Sequence, residues 1–103
     1  MDVLATVTLP SVGDYVMFAH FDAHNTGTSD DYLNCGLFRS PTDAFGGGGG
    51  QVLAGDTSDE TIIGAVSTYG PQTVTLRCQN SGSTTYDIDN ITIRTHDLSG
   101  GLR

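Results

Sequence analysis

The sequence predicts an all-β fold, an antiparallel β-sandwich of about seven or eight strands forming a single domain over residues 1–103, and three observations predict it. Lys is absent and Glu60 is the sole Glu among twelve acidic residues, while Gly, Thr, Ser and Asp abound. Helix-forming residues are therefore scarce, and strand and turn formers are plentiful. Short runs of strict apolar/polar alternation recur at the spacing of a sandwich or barrel, and no window keeps helical periodicity.

The first such run is Val3 to Leu9, ended by Pro10-Ser11-Val12-Gly13-Asp14, because Pro cannot donate to a ladder and Gly tolerates positive φ. Tyr15 to His24 follows and organises the rest. Tyr15, Met17, Ala19, Phe21 and Ala23 fall on one face and read as core; Val16, Phe18, His20, Asp22 and His24 fall on the other. Asn25 to Asp31 reads as a solvated polar loop. Tyr32 to Arg39 resumes the alternation with Leu33, Cys35 and Leu37 together. Ser40 to Gly50 ends in five glycines, costly to order, and reads as a long flexible loop. Gln51 to Ala54 is a short strand and Gly55 to Glu60 an acidic turn. Thr61 to Tyr69 and Thr73 to Gln79 are strands joined at Gly70-Pro71, the second with Val74, Leu76 and Cys78 on one face. After the Asn80 to Thr85 turn, Ile88 to His96 closes the sheet with Ile91, Ile93 and Thr95 on one side, and the tail from Leu98 to Arg103 follows.

Charge narrows the partners. A formal net charge of -8 argues against nucleic acid, whose phosphates would be repelled. No apolar run reaches the length of a membrane span, so membrane insertion is not expected. Met1, Asp2 and Val3 to Leu9 lack the basic start and unbroken apolar stretch of a signal peptide. That fits either a processed extracellular chain or a virion protein, which reaches the outside without a signal.

Cys35 and Cys78 each lie on an apolar strand face. A disulfide between facing sheets is natural for such a pair, and so is a pair of reduced, buried thiols. Neither has the close Cys partner of a zinc site.

Pro10, Gly13 and Tyr15 in a Pro-x-x-Gly-x-Tyr arrangement, then LNCGLFR (33–39), the glycine-rich excursion, TVTLRCQN (73–80) and DIDNITIRTHDL (87–98), resemble a small bacterial or phage jelly roll. The likeness is to the globular heads of the tumour-necrosis-factor and complement type and spans nearly the whole chain. It implies compact trimers that display loops at one end, and it carries over no catalytic residue. YDIDNITI (86–93) also resembles the final strand of jelly-roll carbohydrate-binding modules, which present aromatic platforms to sugar. With Trp absent, such a platform here would draw on Tyr32, Tyr69, Tyr86 and Phe45.

His20, Asp22 and His24 stand at i, i+2 and i+4 on one face and could converge on a transition metal such as Zn²⁺, with His96 completing the site if its strand lay alongside. Neighbours on one strand face are about 7 Å apart and converge poorly, so a solvated polar strand end or an intersubunit patch competes with that reading. Asp56, Asp59 and Glu60, or Asp87, Asp89 and Asn90, offer oxygens to Ca²⁺ without the twelve-residue loop pattern. The glycine run lacks a Gly-Lys-Ser/Thr and is no phosphate loop. No nucleophile elbow or cysteine-protease signature is present, so no enzyme is expected and no cofactor is required.

These readings lead to a non-catalytic structural or display module on a virion or extracellular surface, self-associating as a trimer through Val16, Phe18, His20, Asp22 and His24. Receptor binding or adhesion, with other virion or cell-surface proteins or glycans as partners, would follow from such display. A carbohydrate-binding module is the alternative, and a metal-dependent cupin-like enzyme a third.

Overall fold

The structure, a computed structural model, describes residues 2–82 and 84–98. Met1 and most of the Leu98 to Arg103 tail therefore lie outside the described residues. Seven strands run in order: β1 (Asp2–Leu9), β2 (Gly13–Asn25), β3 (Asp31–Ser40), β4 (Asp43–Val52), β5 (Thr57–Thr68), β6 (Gln72–Asn80) and β7 (Tyr86–Asp97). All pair antiparallel in one sheet of order β1-β6-β3-β4-β5-β2-β7. There is no helix among the described residues, and so none long and apolar enough to cross a membrane.

The expected pair of stacked sheets is instead a single sheet, curled into a flattened and nearly closed barrel of 47 × 28 × 16 Å. Strand β4 makes the join. It pairs with β3 along most of its length and with β5 at Gly46↔Gly64, carrying the sheet from one wall to the other. The Gly46 to Gly50 run is thus strand, where the sequence pointed to a loop. A Cβ on Gly46 would sit 2.6 Å from the Ile63 carbonyl oxygen, and one on Gly49 would sit 2.0 Å from that of Leu33. Backbones at this turn of the sheet approach too closely for side chains, which outweighs the entropy lost in ordering glycine.

Alternation on β2 supplies the core. Tyr15, Met17, Ala19, Phe21 and Ala23 are at most 3% exposed and pack with Leu33, Leu37, Ile62, Val66, Val74 and Leu76. Burying Phe21 alone contributes about 1.5–3 kcal/mol.

Three further details depart from the sequence reading. First, Asn25 and Asp31, the ends of the supposed solvated loop, are buried at 0% and 4% exposure. Asn25 holds the loop from within: its Nδ2 donates to the Ser29 and Val52 carbonyls, and its Oδ1 accepts from Gly27 N. Second, β7 does not alternate evenly. Between His20↔Thr92 and Asp22↔Asp89, both Asn90 and Ile91 lie opposite Phe21, and Asn90 takes φ of 58°. This bulge resets parity, so that Ile88, Ile93 and Thr95 face the inner residues Ala23, Ala19 and Met17, whereas Ile91 is 37% exposed. Third, Cys35 and Cys78 are bonded, with S–S 2.04 Å, but they are direct register partners on the adjacent strands β3 and β6. The bridge therefore staples neighbours within one sheet and does not span facing sheets.

Candidate functional site

The outer face of β5-β2-β7 gathers most of the residues that alternation sets outward on β2. Register places them in rows across the three strands: Thr57–His24–Asp87, Asp59–Asp22–Asp89, Thr61–His20–Thr92, Ile63–Phe18–Arg94 and Ala65–Val16–His96. One end of the face is acidic and polar. The other is apolar, with Phe18 42% and Ile63 56% exposed.

At the acidic end, ligand atoms of His20, Asp22 and Asp59 lie within 4.8 Å of one another. His24 is not in that group; its Nδ1 is 2.9 Å from Thr57 Oγ1. The reason is spacing: cross-strand partners stand closer than same-face neighbours along one strand. Asp59 on β5 therefore takes the place that the sequence reading gave to His24. His96 is two outward rows away, opposite Val16, and does not join.

The two carboxyls face each other across the strands and shift one another in opposite directions. Asp59 is raised above the usual carboxylate range, first by its hydrogen bond to Asp22 and then by the Asp22 charge. Asp22 is lowered by the hydrogen bond from Asp59 and next by Asn90, whose Nδ2 donates to Asp22 Oδ2 at 2.9 Å. That last contact depends on the bulge, because φ of 58° at Asn90 re-aims its side chain toward β2. Chemically, an imidazole nitrogen and two carboxylate oxygens on an open surface could ligate a divalent cation while leaving further positions to water. Asp89 borders the group, while Asp56 and Asp87 stand nearer the end of the barrel beside His24.

The candidate sugar-binding tyrosines do not gather. Tyr32 opens β3 at the end where Ser81 N donates to its carbonyl, whereas Tyr69, 97% exposed, lies in the β5–β6 turn at the opposite end. Phe45 packs against the core. Tyr86 lines a cleft of about 370 Å³ between the edge strands β1 and β7, reaching Leu4, Leu33 and Cys78. Its hydroxyl is buried without a partner, and burial, then the charges of Asp31 and Glu60, raise its pKa.

At the apolar end an open groove of about 690 Å³ is lined by Val16, Phe18, Arg94, Thr95, His96 and Leu98. Sequence reasoning found Val16 and Phe18 but not Arg94 or Leu98, which join only once β7 pairs with β2. No protein family, curated protein or solved structure matches this chain.

Proposed function

We propose that the chain is a non-catalytic structural module that self-associates through the outer face of β5-β2-β7 and displays its loops on a virion or extracellular surface. The observation that carries this reading is the contiguous outward row of Ile63 and Phe18 with Val16 beside it, which no other segment of the described chain covers. Apolar residues so placed on a sheet face are normally covered by a partner.

The charge pattern disfavours a two-fold axis that runs along β2. A two-fold axis along β2 would set Phe18 against its counterpart but would also lay the Asp59–Asp22–Asp89 row against its own image. A three-fold arrangement with Val16 and Phe18 near the axis lets the acidic ends splay apart. A three-fold assembly is also what the likeness to trimeric globular heads implies. The Cys35–Cys78 disulfide suits an oxidising location. Tyr32 and Tyr69 lie at opposite ends of the barrel and do not form one platform for the carbohydrate-binding alternative.

Sedimentation velocity at micromolar protein tests the reading. The wild type should run as a trimer, and Phe18→Ser combined with Ile63→Ser should run as a folded 10.8 kDa monomer. A wild type that is already monomeric would overturn it.

A further inference from the structure

We propose that the groove between β2 and β7 is a binding site for a small amphipathic anion, an apolar ring or short chain carrying a single anionic head group. The proposal goes beyond self-association but concerns the same face: one copy supplies the whole lining, so the ligand and a second copy compete for Val16 and Phe18.

Two of the described arginines are already engaged. Arg39 pairs with Asp43, and Arg77 lies over the Phe38 ring at 5.6 Å and donates to Thr75 Oγ1. Arg94, by contrast, makes no ion pair or hydrogen bond among the described residues. In a chain of net charge -8 an unclaimed guanidinium is unusual, and this one stands opposite Phe18 on the outer face, next to the His96–Val16 row. Apolar wall and cation thus share one groove of about 690 Å³, a size suited to a small organic molecule.

The surrounding acids do not occupy the cation. Asp14, the outward carboxylate four residues along β2 from Phe18 in the other direction from Asp22, accepts from Ser67 Oγ at 2.6 Å. Asp97 belongs to the other side of β7, opposite Tyr15, with Oδ1 close to Gly13. Asp22 lies four residues along β2 from Phe18, about 13 Å away, and Asp89 is beyond the bulge.

The net charge also selects the size of the ligand. An extended anionic surface, such as a lipid bilayer, meets the field of the whole acidic molecule and is repelled. A single small anion responds mainly to charges within a Debye length, about 10 Å at 0.1 M salt, where Arg94 is the fixed cation. A head group that accepts from the guanidinium while its body covers Val16, Phe18 and Leu98 satisfies both halves of the groove.

Fluorescence titration with two probes that share the same rings tests this: anilinonaphthalene sulfonate, which carries an anion, and phenylnaphthylamine, which does not. The wild type should bind the sulfonate saturably at an equimolar ratio and the neutral probe more weakly. Arg94→Gln should weaken sulfonate binding about tenfold, the size of a charge-assisted hydrogen bond, and leave the neutral probe unchanged. Phe18→Ser should weaken both, and Arg39→Gln neither. All three side chains are on the surface, so circular dichroism should show each variant folded. The proposal is overturned if Arg94→Gln leaves the sulfonate unaffected. It is equally overturned if phosphatidylglycerol vesicles capture the protein through Arg94 while the probe does not bind, which would make the occupant a membrane. Sedimentation of wild type and Arg94→Gln reports assembly separately, so probe loss with unchanged assembly speaks for the groove, and altered assembly with intact probe binding speaks against it.

Discussion

Asp31 and Asp22 are both strand aspartates with depressed pKa values, yet their surroundings differ in kind. Asp31, at the start of β3, is 4% exposed and saturated: Oδ1 accepts from Tyr32 N, Ser81 Oγ and Gly82 N, and Oδ2 accepts from Asn80 Nδ2. Asp22, on β2, faces out and is held by a single amide and by another carboxyl. The contrast extends to the strands around them. The β3–β6 side carries the disulfide two residues from Asn80, so covalent and polar bracing concentrate there. The β5-β2-β7 side is held by alternation and register, and its outer face keeps polar and apolar groups that the fold does not consume. A charge with all its donors in place is structural; one left short of donors is available for binding.

The largest effect expected from this division belongs to the disulfide. Replacing Cys35 and Cys78 together by Ala should lower stability by about 2–4 kcal/mol in urea denaturation, given a separation of 43 residues. Probe binding at Arg94 should survive. If the variant keeps wild-type stability, the β3–β6 side is no better fastened than the other.

Next comes the junction between the two sides. Gly46→Ala drives a Cβ toward the Ile63 carbonyl oxygen and the Gly64 Cα, and should lose about 1–3 kcal/mol. Gly50→Ala meets nothing within 4 Å and should be neutral or slightly stabilising. Equal melting temperatures for the two variants would mean that the close approach at β4 and β5 does not limit the join.

This glycine run shows where the sequence stops being informative. Alternation in Tyr15 to His24 marks the core face because each residue's neighbours are encoded two positions away. The need for glycine at Gly46 arises from Ile63 and Gly64, distant in sequence, and the same residue type that suits a loop also suits a tight crossing of backbones. Asp59 was hidden for the same reason: nothing in GDTSDE (55–60) announces that it lies opposite Asp22. The bulge at Asn90 escaped as well, since an even-parity reading of Ile91, Ile93 and Thr95 has no place for an extra residue. The coarse class was legible because composition and periodicity are local; curling into one sheet depends on cross-strand register, which is not.

The two smallest effects set the two carboxylate sites directly against each other through pH. Asp31 has its pKa lowered to about 2, first by Asn80 and then by Ser81 and the backbone amides. Its folded value lies below the ordinary unfolded one of about 3.9, so the stability it contributes is whole above that value and is lost as pH falls through about 2. Asp31→Ala should therefore melt below wild type at pH 7, with the gap closing in acid. Asp59 behaves oppositely. Its raised pKa means that the folded state favours its protonated form, so its contribution is greatest below the unfolded value and is lost as pH rises through the folded one, when two carboxylates must face each other. Asp59→Asn supplies a donor to Asp22 without the second charge. Thermal melts across this range should show no loss at pH 7, or a small gain, and a weaker decline in stability as pH rises through the carboxylate range. A variant that melts below wild type at pH 7 would mean that Asp59 is needed in its ionised form, and the account of opposed shifts in the pair would fail.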